Sequence, residues 1–222
     1  MGGRASRQQA GKPVFILGTN LFAEEVADLA RQTPGYEVAG FVVNLEKPAP
    51  GESFEGKPVY WIDDLKDMVD DHEAICSIGT TQRRQFTDAV ESIGMRFATL
   101  VHPSAQVLPS ATLGQGTIVS ANAVIASHTT IGNHVIINRA ALVGHHTSIG
   151  NHVTIGPGAN VAGACRVGDQ SYIAMSAVII DRMTVGTLSV VGAGAVVTKP
   201  VPDRVQVLGV PAKIVKEQIQ GK

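Results

Sequence analysis

This chain of 222 residues has few aromatic residues, few cysteines and a net charge close to zero. Aromatic side chains make up 5% of it, which suits a core of thin aliphatic layers. Two cysteines are too few for a disulfide framework, and a formal charge of −1 gives no reason to expect nucleic acid or an anionic membrane as a partner. No apolar run is long enough to span a bilayer, and the start MGGRASRQQAGK lacks the apolar core of a signal peptide. We therefore expect a cytoplasmic protein with a flexible leader over residues 1–12.

From His102 to Val197 the chain instead repeats in units of six residues. The sixth place of the unit is Val, Ile or Leu sixteen times in succession, and the fourth place is usually a smaller residue. In an extended strand residues i and i−2 point to the same face, so each unit sends one large and one smaller side chain inward before it turns a corner. Three units close a coil of eighteen residues, and stacked coils pair as parallel strands. The repeat predicts a parallel β-helix over residues 102–199, followed by a tail over 200–222.

The first part of the chain has a different rhythm, in which short apolar runs alternate with helical stretches. Such alternation is typical of a doubly wound parallel sheet, so we predict an α/β Rossmann-like domain over residues 13–101. The predicted strands are PVFILG at 13–18, YEVAGFVV at 36–43, EAICSIG at 73–79 and RFATLV at 96–101. The predicted helices are 21–32, a stretch opening with IDDLKDM, and TTQRRQFTDAVESIG.

Two loops of this predicted domain are candidate anion sites, because ligands of such sheets lie beyond the carboxyl ends of the strands and helix N-termini attract anions. The first is Gly18 to Asn20; since the remaining glycines of a dinucleotide fingerprint are missing, a simple tight turn is the alternative. The second is Gly79 to Thr81 with Arg83 and Arg84, although arginines in the first turns of a helix are more often solvated.

Histidines recur at the corners of the predicted β-helix. His128 and His146 are eighteen residues apart, and so are His134 and His152, so each pair stacks in adjacent coils. Since corners face water, we interpret His128, His134 and His152 as solvated, with a zinc site as the alternative. His145 differs, because it occupies the second place of its unit, which other units mostly fill with small or neutral polar residues.

A small α/β domain that leads directly into these six-residue units resembles the nucleotide-amino-sugar N-acetyltransferases of the bacillosamine and perosamine type, and the related sialic-acid O-acetyltransferases. The resemblance covers residues 13–216 and rests on VFILGTNLFAEEV, LVHPSAQV, IINRAALVGHHTSIGNHVTIGPGANVAG, VVGAGAVVTKPVP and LGVPAKIV. It implies a left-handed β-helix, against the usual crossover hand. It also implies acetyl-CoA as co-substrate, no metal, and a homotrimer whose second subunit completes the site around His145.

The resemblance implies roles for a group of catalytic residues. His145 matches the general base that takes a proton from the acceptor amine as the amine attacks the thioester. His146 stands where the family usually has Asp or Glu, and a neighbouring imidazole orients the base without stabilising its cation. Asn138 matches a position near the base and the acceptor.

Further residues match binding positions of the family or adjoin them. Gly163 matches a backbone amide near the thioester, where an oxyanion develops. The expected acetyl-CoA-binding residues are Thr154, Gly163, Ala193, Gly209, Pro211 and Lys213, with Thr154 standing where some members have a second histidine. The expected nucleotide-sugar-binding residues are Gly18, Thr19, Asn20, Asn44, Thr80 and Arg84, with Asn44 standing where acidic residues are usual.

Three other functions stay open on the sequence alone. A sugar or sialic-acid O-acetyltransferase would use the same acetyl-transfer frame. A γ-type carbonic anhydrase shares the left-handed β-helix and holds zinc between subunits, but it does not explain the α/β domain or GVPAK. A non-catalytic sugar-nucleotide-binding or scaffold protein is the third, because His146 replaces the usual acidic partner of the base.

Overall fold

The computed structural model of the chain describes residues 11–222. Most of the leader predicted for residues 1–12 therefore lies outside the described residues, and the first strand already begins at Lys12. Two units follow one another along the chain: a mixed α/β unit and a long stack of short parallel strands. In the described part of the chain no helix is long and apolar enough to cross a membrane.

The α/β unit is built on a six-stranded sheet with the order β3-β4-β2-β1-β5-β6, in which only the β3–β4 pair is antiparallel. Its strands are β1 (Lys12–Leu17), β2 (Tyr36–Val43), β3 (Ser53–Phe54), β4 (Lys57–Trp61), β5 (Glu73–Cys76) and β6 (Arg96–Phe97). Its α-helices are α1 (Leu21–Gln32) and α2 (Arg84–Ser92), and two 3-10 helices cover Ile62–Asp67 and Thr81–Arg83.

The sequence predicted most of these elements, and the misses are local. The helix at 21–32 and the strand at 36–43 are confirmed at their predicted bounds. The stretch IDDLKDM forms six residues of 3-10 helix instead of opening an α-helix. The single strand predicted at 96–101 is divided, because Arg96–Phe97 pairs with β5 whereas Leu100–Val101 pairs with the second unit.

The second unit is a parallel β-helix with three faces, and its strands pair at a register of eighteen residues, as in Ile118 with Ile136. Both the parallel pairing and the coil length predicted from the repeat are confirmed. The first face contains Leu100–Val101, Ile118–Val119, Ile136–Ile137, Thr154–Ile155, Tyr172–Ile173, Val190–Val191 and Gln206–Leu208. The second face contains Gln106–Val107, Val124–Ile125, Leu142–Val143, Asn160–Val161, Val178–Ile179 and Val196–Val197. The third face contains Thr112–Leu113, Thr130–Ile131, Ser148–Ile149, Arg166–Val167 and Thr184–Val185.

From Gly116 to Gly194 the corners of the β-helix turn through a residue in the left-handed region, at the third place of the six-residue unit. We call the corner between the first and second faces the first corner, the next the second corner, and the one that returns to the first face the third corner. His146 has φ 57° at the second corner and His152 has φ 56° at the third, so these positions accept side chains other than glycine.

One of three buried apolar clusters contains residues of both units. Ile118 and Ile136 occupy the fifth place of their units on the first face, which points outward, yet both are buried against α1. On α1 the apolar residues that pack against them include Val26 and Leu29. The α/β unit therefore covers the first face at Ile118 and Ile136.

Beyond the last regular unit the first face continues. Gln206–Leu208 pairs in parallel with Val190–Val191, at a register of sixteen residues. Lys213–Lys216 then returns antiparallel to it and forms the edge of that sheet. The tail predicted at 200–222 thus adds two strands to the β-helix.

Candidate active site

His145 and His146 lie side by side at the second corner, both exposed to solvent. Their Nδ1 atoms are 3.1 Å apart, within hydrogen-bond distance, and the rings meet edge to face. While both imidazoles are neutral, one Nδ1 carries the hydrogen and the other accepts it. If His145 donates from Nδ1, its Nε2 keeps a free lone pair, which is the form a general base needs.

Gly163 lies one coil above His145 and in contact with its ring. A Cβ at Gly163 would come within 2.7 Å of the ring atoms Cε1 and Nε2, so any larger residue would displace the imidazole. Within residues 11–222 the Gly163 N–H donates to no acceptor of the chain. The second corner thus places an imidazole nitrogen next to a free backbone amide, two groups that can act as a general base and as a donor to an oxyanion.

A cavity of about 660 Å³ opens at the carboxyl ends of β1 and β2, and we call it the loop cavity. Gly18, Thr19, Asn20 and Asn44 all line it, as does Lys47, which the sequence did not single out. Gly18 has φ 110°, a conformation that suits glycine. Asn20 caps α1, since its side-chain oxygen accepts from the N–H groups of residues 22 and 23 at 2.9 and 3.2 Å. This cap leaves the Asn20 amide nitrogen for a ligand.

A second cavity, of about 440 Å³, lies between the α/β unit and the first face, and we call it the junction cavity. Thr80, Asn138 and Thr154 meet here, and Asn20 lines it as well as the loop cavity. The hydroxyl of Thr154 already accepts from Arg83 and donates to the Gly79 carbonyl, so it has little left for a ligand.

Two residues of the junction cavity, Tyr172 and Lys222, were missed by reasoning from the sequence. The Lys222 ammonium lies 4.1 Å from the centre of the Tyr172 ring, a cation–π distance. Its backbone is tied to Thr81 by hydrogen bonds of 2.8 and 2.9 Å. The sequence did contain a signal for Tyr172. Like Ile118 and Ile136, it occupies the fifth place of a unit on the first face, and apolar residues at this outward place indicate that another part of the chain covers the face.

The two candidate arginines of the second loop differ in exposure, since Arg83 is buried and Arg84 is exposed. Arg84 is exposed and contacts Asp88 of its own helix and Gln170 of the β-helix, so the structure does not bring it into the loop cavity or the junction cavity. Arg83 is 1% exposed, and the expectation that it faces an anion or water is wrong. Since the 3-10 turn at Thr81–Arg83 points its side chain between the two units, only the tertiary fold reveals its burial.

The remaining acetyl-CoA candidates lie near the end of the β-helix. Ala193 lines a cavity of about 450 Å³ with Met175 and Leu208, at the first corner. Gly209, Pro211 and Lys213 follow the last parallel strand, and the Gly209 carbonyl accepts from the Val196 N–H at 3.0 Å. Within one chain Ala193 lies at the first corner and Lys213 on the first-face sheet, whereas Gly163 and His145 are at the second corner.

His134 and His152 are buried, so their interpretation as solvated corner residues is wrong; His128 is exposed, as expected. Helix α2 covers the third corner: His134 Nε2 lies 2.9 Å from a Glu91 carboxylate oxygen and His152 Nε2 lies 2.9 Å from the Thr87 hydroxyl. The two rings stack with centroids 4.8 Å apart. Periodicity placed them on a corner but could not show that a helix from another unit lies over it.

Burial lowers the pKa of both third-corner histidines, and that of His152 falls to about 4, with His134 and Arg83 contributing next. Glu91 opposes the shift at His134. A histidine with a lowered folded pKa binds fewer protons when folded than when unfolded, so stability is lost as pH falls below about 6.5. The loss reaches at most about 1.4 kcal/mol per pH unit for each histidine and levels off near the folded pKa.

We expect His152→Gln to flatten the decline of unfolding free energy between pH 7 and pH 5, measured by urea denaturation. Glutamine is accepted at this corner place, because Gln170 occupies it in the next coil with φ 56°. His128→Gln, at an exposed corner, is the matched control and should keep the wild-type slope. Equal slopes for His152→Gln and wild type would contradict the buried neutral histidine.

The zinc alternative requires several ligands around one point. Across residues 11–222 no group of three or more His, Cys, Asp or Glu side chains is placed to hold a metal ion within one chain. Among these histidines, His128 and His146 adjoin at the second corner with tilted rings whose centroids are 4.8 Å apart, and no third ligand from residues 11–222 of the same chain joins them.

Comparison with solved structures gives close matches over nearly the whole chain. Perosamine N-acetyltransferase from Caulobacter crescentus, solved as a mutant in complex with CoA and GDP-perosamine, is 31% identical with a TM-score of 0.85, and the match covers 94% of this chain and 98% of that one. The acetyltransferase domain of PglB from Neisseria gonorrhoeae, solved with acetyl coenzyme A, is 32% identical at a TM-score of 0.83, covering 93% and 100%.

WeeI from Acinetobacter baumannii is 27% identical at a TM-score of 0.81, covering 91% of this chain and 99% of that chain. Comparisons with protein-family models and with curated protein sequences give no match. The solved structures therefore carry the assignment.

Proposed function

The chain belongs to the hexapeptide-repeat sugar N-acetyltransferases, and on this premise we propose that it transfers acetyl from acetyl-CoA to the amino group of a nucleotide-linked amino sugar. The PglB acetyltransferase domain is solved with acetyl coenzyme A, and the Caulobacter crescentus perosamine N-acetyltransferase is solved with CoA and GDP-perosamine. The observation that carries the proposal to this chain is the second corner, where the His145 imidazole lies against Gly163, whose N–H has no acceptor within the described chain.

In the proposed reaction the acceptor amine attacks the thioester carbonyl while His145 Nε2 takes the amine proton. The carbonyl oxygen becomes an oxyanion and is stabilised by the Gly163 N–H. When the intermediate collapses, the C–S bond breaks, the amide forms, and the imidazolium returns its proton to the CoA thiolate. His146 holds His145 in the required tautomer through the contact between their Nδ1 atoms, 3.1 Å apart.

The nucleotide sugar, in this proposal, occupies the loop cavity and the junction cavity. The helix N-terminus at Asn20 and the φ of Gly18 favour a close approach of phosphates to backbone N–H groups. The domain organisation belongs to the same proposal: a Rossmann-like nucleotide-sugar-binding domain over 13–101, a left-handed β-helix over 102–199 that transfers acetyl, and a tail over 200–222 that contacts CoA. Asn138 then lies at the sugar end of the junction cavity.

A homotrimer is also part of the proposal, because one chain separates the groups the reaction needs. Asn138 and Ala193 lie at the first corner, while His145 and Gly163 lie at the second. A neighbouring copy that presents its first corner to the second corner would bring them together. We place the protein in the cytoplasm, since Cys76 and Cys165 are both buried as free thiols.

The test is acetyl transfer from acetyl-CoA to GDP-perosamine and to UDP- and dTDP-linked amino sugars, followed by thiol release. We expect amide formation with at least one acceptor and none when the amine is replaced by a hydroxyl. An acceptor preference for the hydroxyl would favour O-acetylation. Binding of nucleotide sugar without any transfer would instead identify a non-catalytic protein.

A further inference from the structure

Arg83 is a charged side chain that the proposed reaction does not use, and it lies between the two units. It is 1% exposed, and in residues 11–222 it forms no ion pair with a carboxylate. Burial lowers its pKa to about 10, so it keeps its charge at neutral pH. A buried cation without a counterion is costly, and an apolar residue of similar size would usually be tolerated better. The hydrogen bonds of its guanidinium must therefore compensate for the cost of burying the charge.

The guanidinium of Arg83 connects two successive coils with the α/β unit. Nε donates to the His134 carbonyl at 2.9 Å, and Nη2 donates to the Val153 carbonyl at 2.7 Å. Nη1 donates to the Thr80 carbonyl and to the Thr154 hydroxyl, each at 2.8 Å. Four of its five N–H groups are thus used, in the fixed planar geometry that lysine cannot reproduce.

Two of these partners form walls of the junction cavity. Thr80 belongs to the loop after β5, and Thr154 belongs to the first face, so the guanidinium holds opposite sides of the cavity together. Asn138 lines the same cavity two residues after Ile136, which pairs with Thr154, and Asn20 connects it to the loop cavity. A change in the distance between Thr80 and Thr154 would therefore alter the passage from the loop cavity at Gly18 to Asn20 to the end of the junction cavity at Asn138.

We propose that Arg83 is a positioning residue, which fixes the α/β unit on the β-helix so that an acceptor anchored at Gly18 to Asn20 presents its amine at the sugar end of the junction cavity. The inference rests on the proposed function and adds a residue to it. Arg83 touches neither substrate: its effect passes through Thr80 and Thr154. It should matter only for acceptors that use the α/β unit, because a free amino sugar has no nucleotide to anchor.

The experiment compares kcat/KM for GDP-perosamine, or for whichever nucleotide sugar the wild-type enzyme prefers, with kcat/KM for the same amino sugar lacking its nucleotide. In wild type the nucleotide sugar should be the better acceptor. We expect Arg83→Met and Arg83→Lys each to lower the ratio of the two values at least about 10-fold, with the KM for acetyl-CoA unchanged. Thr154→Val, which removes one acceptor of the guanidinium and leaves the charge in place, should lower it less.

Arg31→Met is the matched control, because Arg31 belongs to the same unit but is exposed and pairs with Asp28. It should keep the wild-type ratio. A merely structural role for Arg83 predicts equal loss with both acceptors and a rise in the acetyl-CoA KM, and that result, or an unchanged ratio in a folded Arg83→Met, would overturn the proposal. If Arg83→Met aggregates, the same criteria apply to Arg83→Lys and Thr154→Val. Failure of the proposed function looks different, since wild type would then acetylate neither acceptor.

Discussion

Replacing His145 by alanine should lower turnover with the nucleotide sugar at least about 10²-fold, which is the low end of what a positioned general base contributes. The side chain is exposed at the second corner, so its removal should cost little stability. Coenzyme A affinity should stay close to the wild-type value, because the imidazole acts on the proton of the amine. Steady-state kinetics with calorimetric titration of coenzyme A would measure both quantities.

His145→Gln is the control that separates the base from the space it fills. Glutamine is of similar length and can still reach His146, but it cannot take a proton at neutral pH. It should be as inactive as the alanine variant. Wild-type turnover in either variant would end the assignment of His145, and restored activity in the glutamine variant alone would show that the ring acts by packing against Gly163.

Valine at position 18 should raise the KM for the nucleotide sugar at least about 10-fold while the KM for acetyl-CoA changes less than about twofold. Gly18 has φ 110°, which a β-branched residue adopts only with strain of about 1–3 kcal/mol. Its Cβ would also lie 3.0 Å from the Ser77 hydroxyl, so Ser77 or the loop must give way by a few tenths of an ångström. Backbone N–H groups at the start of α1 would then no longer be oriented to donate hydrogen bonds to the phosphates.

Gly35→Val separates this effect from strain alone. Gly35 also has a positive φ, 91°, but an added Cβ meets no atom within 4 Å and the residue lines neither of the acceptor cavities. This control should lose stability in thermal denaturation and keep both KM values. An acceptor KM in Gly18→Val that matches the control would remove the loop from the nucleotide site.

Local patterns predicted much of the fold because each depends on near neighbours. The six-residue repeat specifies the inward side chains and the eighteen-residue register, as the pairing of Val119 with Ile137 shows. The cap at Asn20 and the apolar face behind it define α1 in the same way. Residues in contact along one coil or one helix leave a periodic signal, so the sequence alone predicts their arrangement.

What the sequence could not show depends on contacts between distant segments. The Arg83 side chain reaches Val153 across 70 residues, and α2 covers His134 and His152. Each of these residues looks solvated in its own segment, because only the other unit excludes water from it. The candidate site divides similarly: the loop cavity was predictable from Gly18 to Asn20, whereas Tyr172 and Lys222 join the junction cavity only in the folded chain.

The antiparallel strand at Lys213–Lys216 also affects whether copies of the protein associate through the edges of their sheets. A stack of parallel strands ends in unpaired backbone groups, and such an edge can recruit the same edge of another molecule. Here the chain reverses after Gln206–Leu208, and the strand Lys213–Lys216, which has lysine at both ends, forms the outer edge of the sheet. Repulsion between these ammonium groups, and the reversed strand direction, oppose end-to-end growth into fibres. The protein can thus combine a highly regular repeat with resistance to aggregation.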